Sequence, residues 1–249
     1  MKKHTLALTL AALTTPLVYS TTAQADTIFG IYAGAGSWET DYSGEAGDPA
    51  LSTDDLGMDK NNNSYFYVAI EHPVPVLPNI KLQQTNLTSR QTATITDTFS
   101  VGDVEFADTD VTTDFDLSHT DATLYYEILD NWLNADVGLT VRKYSGYLKA
   151  KSETENEKVD LDATLPMLYA KFQFDLPFSG FSAGVEGNYV SYSDNTLADY
   201  SAKISYMFDS ALDLGVELGY RQSTMTLDED DVTADIELSG PYVAALFHF

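Results

Sequence analysis

Residues 132–144 read Trp132-Leu133-Asn134-Ala135-Asp136-Val137-Gly138-Leu139-Thr140-Val141-Arg142-Lys143-Tyr144. Leu133, Ala135, Val137, Leu139 and Val141 are apolar, and Asn134, Asp136, Thr140 and Arg142 between them are polar. Side chains alternate between the two faces of a β-strand, so this period of two puts one face in an apolar medium and the other in a polar one. The pattern returns three times downstream. Phe181, Ala183, Val185 and Tyr189 alternate with Ser182, Glu186 and Asn188; Tyr200, Ala202, Ile204, Tyr206 and Phe208 with Ser201, Lys203 and Ser205. Leu212, Leu214, Val216, Leu218 and Tyr220 alternate with Asp213, Glu217 and Arg221.

Fainter strands are expected over 27–38, 64–72, 80–96, 112–129, 161–174 and 235–249. Gly30, Gly34 and Gly36 weaken the first, and 80–96 is the poorest in apolar positions, its outer half expected to project into water. The count is ten, with eight or twelve as alternatives because 80–111 is weak. Connections at 73–79, 130–131, 175–180 and 209–210 are short. Most of the others are longer, at 39–63, 97–111, 150–160, 193–198 and 228–234. Period-two strands in even number with links alternating in length predict an all-β fold, an antiparallel up-and-down transmembrane β-barrel. A closed sheet supplies every backbone N–H and C=O with a partner inside a membrane. The competing fold, a secreted soluble barrel or sandwich, would need a polar outer face.

Composition agrees. The 249 residues carry 13 Lys plus Arg against 38 Asp plus Glu, a formal net charge of −25, which excludes a nucleic-acid binder that grips phosphates. Apolar residues make up 44% and the chain holds 16 Tyr and 12 Phe, unlike a disordered acidic chain. With no Cys, disulfides, thiol catalysis and cysteine-ligated metals are excluded. Residues 1–25 read as a secretory signal: Lys2 and Lys3 first, an apolar stretch over 6–18, then Ala23-Gln24-Ala25 as a small-x-small cleavage site. Residues 26–249 then form one barrel domain. No later apolar run reaches the length of a membrane-spanning helix.

Aromatic residues mark two interfacial girdles. Trp132, Phe172, Phe174, Phe178, Phe181, Phe208, Phe247 and Phe249 lie near short turns; Tyr144, Tyr189, Tyr192, Tyr200 and Tyr220 lie toward the long-loop ends. The C-terminal run Tyr242-Val243-Ala244-Ala245-Leu246-Phe247-His248-Phe249 looks like the assembly signal of outer-membrane barrels, with Phe247 and Phe249 as the residues the barrel assembly machinery reads. Further stretches carry a narrower resemblance. They are Gly34-Ala35-Gly36 with Trp38, residues 71–79 (Glu-His-Pro-Val-Pro-Val-Leu-Pro-Asn), and Asp121 through Tyr125-Tyr126-Glu127 to Asn131-Trp132. Leu165-Pro166-Met167-Leu168-Tyr169-Ala170 and Gly240-Pro241-Tyr242 complete them. Together they resemble a family of small Gram-negative outer-membrane barrels that co-occurs with the GlyGly-CTERM/rhombosortase sorting system. The resemblance implies a barrel in the bacterial outer membrane, with lipids and lipopolysaccharide as neighbours, and no catalytic residues. Physically, Pro73, Pro75 and Pro78 lack backbone donors and cannot lie in an interior strand, so this segment is a stiff turn or a peptide-docking segment.

The polar face assigns the lumen. Its charged residues are Glu71, Lys81, Asp121, Glu127, Asp136, Arg142, Lys171, Glu186, Lys203, Asp213, Glu217 and Arg221. Two readings stand: a lumen plugged by ion pairs, or a thin pore with mild cation preference. His119 and Asp121 lie two apart on one strand and share the luminal face, the arrangement of a base and its orienter or of a structural pair. No G-x-S-x-G motif is present, and the Gly-rich run over 30–36 precedes no helix that would make it a phosphate loop. No cofactor is implied. The outer loops are acidic: Glu39, Asp41, Glu45, Asp48, Asp54, Asp55 and Asp59 in the first, Asp97, Asp103, Glu105, Asp108, Asp110 and Asp114 in the second, and Asp228-Glu229-Asp230-Asp231 in the last. They are either solvated segments or sites for divalent cations bridged to lipopolysaccharide phosphates, although no EF-hand spacing occurs. Three function classes follow: a non-enzymatic narrow channel or structural barrel, an outer-membrane hydrolase using His119 and Asp121, and a surface binding protein acting through its acidic loops.

Overall fold

The computed structural model describes residues 29–47, 50–102, 104–208, 213–229 and 232–249. The signal segment with Ala23 and Ala25, and Asp48, Asp103, Asp230 and Asp231, lie outside the described residues. The strands are β1 (Gly30–Ala46), β2 (Leu51–Ser52), β3 (Asn61–Glu71), β4 (Asn79–Asn86), β5 (Thr88–Ile95), β6 (Phe99–Val101), β7 (Val104–Phe106) and β8 (Thr109–Asp116). They continue as β9 (His119–Leu129), β10 (Leu133–Lys151), β11 (Asn156–Asp175), β12 (Phe181–Tyr192), β13 (Asn195–Met207), β14 (Asp213–Glu229) and β15 (Val232–His248). The order β11-β12-β13-β14-β15-β1-β3-β4-β9-β10, with β10 paired back to β11, closes an antiparallel barrel of ten strands. At the seam between β1 and β15, Ile31 and Phe249 exchange both backbone hydrogen bonds, at 2.7 and 2.9 Å.

Period two decides which way each side chain points. On β10, Val137, Leu139 and Val141 are exposed on the outer wall while Asp136, Thr140 and Arg142 are fully buried inside. Phe66, Val68, Ile70, Leu82, Leu124, Leu168, Val185, Ile204, Leu218 and Val243 extend the apolar wall around the barrel. An exposed apolar surface of this extent is the reverse of what a soluble barrel presents. The glycines that blur β1 in sequence have a packing role. Gly34 and Gly36 face Tyr67 and Tyr65 across the β1/β3 ladder, and a Cβ at either position would strike the tyrosine ring.

Several connections and faces differ from the sequence expectation. Strand β1 runs on to Ala46, not to Trp38. The link expected over 150–160 is mostly ladder, with β10 and β11 paired out to Lys151 and Asn156, and β12 meets β13 across Ser193 and Asp194. A strand ladder needs only backbone groups, so it continues into water beyond the apolar belt where polar composition reads as loop. The weak stretch over 80–96 is β4 and β5, interrupted at Leu87. Its partner is β8 and β9, interrupted at Leu117 and Ser118. Tyr144, expected in the outer girdle, is buried on the luminal face, as its even parity with Asp136 and Arg142 requires. Tyr189, Tyr200 and Tyr220 are exposed on the outer wall, as are Trp132, Phe172, Phe174, Phe181, Phe208 and Phe249. Tyr192, expected in the outer girdle, has the inward parity of Glu186 and Asn188 and is exposed at the tip of β12, and Phe178 is exposed in the turn between β11 and β12.

The acidic outer segments are not merely solvated. Their carboxylates at Glu39, Asp41, Glu45, Asp54, Asp55, Asp59, Asp97, Glu105, Asp108 and Asp110 are exposed, with Asp114 half-buried, but apolar residues between them turn inward. Leu51, Leu56, Ile95, Val101, Phe106, Val111 and Ala150 form one cluster. Trp38, Tyr42, Tyr65, Leu87, Phe115, Leu238 and Tyr242 form a second, and Met58 and Leu148 pack against both. The β6/β7 hairpin lies within the expected second loop and contributes Val101 and Phe106.

Candidate functional site

The lumen is filled in layers. At mid-depth two arginines and two aspartates converge. Arg142 on β10 grips Asp121 on β9 in a bidentate pair, Nε to Oδ1 at 2.8 Å and Nη2 to Oδ2 at 2.7 Å. The same Nη2 donates to Asp199 Oδ2 on β13 at 2.7 Å. Arg221 on β14 closes a second fork on Asp199, Nε to Oδ1 at 2.9 Å and Nη2 to Oδ2 at 2.7 Å. The Arg221 guanidinium also stacks over Trp38, 4.7 Å from the ring centroid. All four charged groups are buried, and the layer is neutral in formal charge. Burying charge is tolerable only with this degree of pairing.

A second neutral layer lies one step toward the turn side. Lys81 on β4 pairs with Glu186 on β12, four strands away around the ring. Lys203 reaches Glu186 at 3.3 Å and Glu217 at 3.4 Å. Tyr169 donates to Glu186 at 3.3 Å and Tyr242 to Glu217 at 2.9 Å. Between the two layers is a void of about 50 Å³, enough for water alone. On the outer side of the arginines the lumen is occupied by Trp38, Tyr42, Leu87, Phe115 and Leu238, and by Tyr144, Met167 and Leu197 across from them.

The turn side is different. There the lumen widens into a vestibule of about 560 Å³, lined by Glu71, Glu127, Lys171, Tyr125 and residues of the short turns. Lys171 bonds Asp136 at 3.0 Å, Tyr125 donates to Glu71 at 2.7 Å, and Asn79 Nδ2 donates to Glu127 at 3.0 Å. Its floor is the Lys81, Lys203, Glu186 and Glu217 layer. Asp213 stands apart from these layers: its side chain is half-exposed at the barrel end, 3.6 Å from His248 Nδ1.

His119 and Asp121 both face inward, yet they do not form a pair. Both oxygens of Asp121 are taken by Arg142, and His119 Nδ1 bonds the Leu117 carbonyl at 3.0 Å. His119 Nε2 is buried with no partner, its ring tilted against Tyr144 at 5.1 Å. A base without an orienting carboxylate, sealed from solvent, lacks the geometry of acid–base catalysis. Among the described residues no three His, Asp or Glu side chains converge on a metal position.

Asp199, which joins the two arginines, escaped the sequence reading. The signal was present: it continues the inward series Lys203, Ser201 by one more step of two.

No protein-family model matches the chain, and no curated protein matches it in sequence. Among solved structures, a FadL homologue of Pseudomonas aeruginosa aligns over 90% of both chains with a TM-score of 0.36 and 11% identity. The P. putida toluene transporter TodX aligns over 90% of both with a TM-score of 0.30 and 10% identity, and the Ralstonia pickettii toluene transporter TbuX over 90% of both with 0.22 and 9%. The closed barrel is fixed by the strand pairing, not by these likenesses.

Proposed function

We propose that this chain is a non-enzymatic integral protein of the bacterial outer membrane whose narrow lumen is closed at rest. The observation that carries this reading is Asp199 held by Arg142 and Arg221, a neutral knot across the lumen with apolar side chains stacked on its outer side. A ten-stranded barrel is narrower than an aqueous porin, so paired side chains suffice to fill it. The apolar outer wall is the support for a membrane location, and the reading places the short turns in the periplasm. The partners it implies are lipids and lipopolysaccharide around the wall, divalent cations at the acidic outer extensions, and the barrel assembly machinery at Phe247 and Phe249. The GlyGly-CTERM/rhombosortase association belongs to the same proposal. The test is single-channel recording of the refolded chain in a planar bilayer under a salt gradient. Inserted barrels are expected to stay silent; steady conductance steps from the unmodified chain overturn the closed lumen.

A further inference from the structure

The turn between β3 and β4 is tied to the outer wall. Tyr126 points outward from β9, and its hydroxyl donates to the Val76 carbonyl at 2.7 Å. Val76 has a φ of 78°, a conformation that β-branched residues rarely adopt. Pro73, Pro75 and Pro78 fix three more φ angles around it. Backbone strain persists only where the surroundings hold it, and it clusters at functional positions. The turn leaves Val74, Val76 and Leu77 exposed as a stiff apolar knob, Val76 by 85%. Residues 73–79 carry no charge, in a chain whose net charge is −25.

The far side of the wall carries a hollow. Ala183 on β12 and Ala202 on β13 face outward and are small, and Phe172, Phe174, Ile204 and Leu218 stand around them. The hollow holds about 640 Å³, the size of a small-molecule site, and takes two or three apolar side chains. Going round the ring from the hollow to the knob, β13, β14, β15, β1 and β3 intervene one way and β12, β11, β10, β9 and β4 the other. The two features are therefore diametrically opposed. They also share a depth: Tyr126 faces Val137 across the β9/β10 ladder, and Val137 faces Ala170, two residues from Phe172.

In a bilayer, burial alone does not draw apolar surfaces together, because lipid tails are equally apolar; close packing over small residues does. A knob already held by three prolines and a hydrogen bond loses little freedom on seating. We propose that the knob of one copy of this chain seats in the hollow of the next. A contact between two different patches does not close on itself as a two-fold pair does, and patches on opposite sides of a barrel extend it into straight rows.

The inference rests on the membrane reading, since a bilayer is what holds neighbouring barrels upright at one depth; the closed lumen does not enter it. The chain has no Cys, so introduced thiols report a single contact. Val76→Cys with Ala183→Cys, refolded into phosphatidylcholine vesicles at a high lipid-to-protein ratio and oxidised, is expected to give a ladder of dimer, trimer and higher species, while each single variant stays monomeric. Heat modifiability on a gel confirms folding and flotation confirms insertion; folded chain that does not float overturns the membrane reading and this inference with it. Energy transfer between copies labelled at Asp194→Cys reads the association without a cross-link. Ala183→Phe with Ala202→Phe fills the hollow on an outward-facing surface and should abolish the transfer. Tyr126→Phe removes only the hydroxyl that holds Val76 and should weaken association about fivefold, the worth of one ordinary hydrogen bond. Inserted barrels that stay monomeric leave lipid in the hollow and overturn the proposal. A cross-linked product that stops at the dimer, or energy transfer that survives the double substitution in the hollow, does so too.

Discussion

Asp199 Oδ2 accepts a hydrogen bond from Arg142 Nη2 and another from Arg221 Nη2, each at 2.7 Å. One carboxylate thus ties β10, β13 and β14 together through the lumen. Removing one member of a buried ion network leaves the others desolvated and unpaired, which costs on the order of 3–5 kcal/mol. Asp199→Ala is expected to lose that amount in urea unfolding of the refolded barrel, as a lower midpoint at unchanged slope. A change below about 1 kcal/mol, the scale of exposed pairs, would mean that water reaches the arginines.

The barrel was legible because alternation is a local property. Leu139 and Thr140 report their faces without knowledge of any other strand. Asp199 was harder. Its parity is right, but Ser193, Asp194, Asn195 and Asp199 have turn composition, which hides the start of β13. The apolar cluster at the outer end was harder still. Leu51, Leu56, Val101 and Phe106 follow no period, and they meet only when segments some fifty residues apart in sequence close on each other. Acidic neighbours dominate the composition of those segments, so charge alone suggests solvated loops. The misplacement of Tyr144 has a different cause: residue type suggested an interface, while its even parity with Arg142 already placed it inside.

The filled lumen has three barriers in series, the apolar clusters, the arginine layer and the layer of Lys81, Lys203, Glu186 and Glu217, and any one of them should block ions. Replacing 97–107 by a short Gly-Ser turn is expected to leave the barrel silent in planar bilayers. Asp199→Ala with Arg221→Ala, which removes one acid and one base, should also stay silent in the intact chain. Joining the two changes with Glu186→Ala and Lys203→Ala, which opens the remaining charged layer, is expected to give conductance. Its selectivity should favour cations, because Glu71 and Glu127 then line an open path without cationic partners. Conductance from the loop replacement alone would show that the charge layers are permeable.

His119 offers a check on the enzymatic alternative. Its Nε2 has no partner and Asp121 is committed to Arg142. His119→Phe keeps ring packing against Tyr144 and gives up the bond to the Leu117 carbonyl, at an expected cost of about 0.5–1.5 kcal/mol in urea unfolding. Any peptide or ester hydrolysis by the purified barrel should be the same before and after the substitution. Hydrolysis that disappears in the folded variant would restore a catalytic role.

Gly34 faces Tyr67 across the ladder, and a Cβ there meets the ring at contact distance too short to hold. Gly34→Val forces the ring away from Lys81, which lies over it at 4.7 Å from the centroid. Overpacking of this kind costs about 1–3 kcal/mol. The same substitution at Ala35, whose side chain faces outward, should cost little. Near-ultraviolet circular dichroism reads the displaced tyrosine separately from the loss of stability.

The medium around the barrel can be read from one outward side chain. Leu139 lies in the middle of the apolar stretch of β10, between Val137 and Val141, and is 59% exposed. In a soluble barrel, an arginine at an exposed position away from special features changes stability by no more than about 0.5 kcal/mol. In a bilayer, arginine at the midplane of a β-barrel costs about 2–4 kcal/mol, falling toward zero near the interfaces. Leu139→Arg is therefore expected to lose about 2–4 kcal/mol in urea titrations performed in phospholipid vesicles. Ser145→Arg, farther out on the same strand, should lose less than half of that. Equal small effects at both positions would remove lipid as the medium of the wall, and with it the outer-membrane reading, while leaving the luminal pairs untouched.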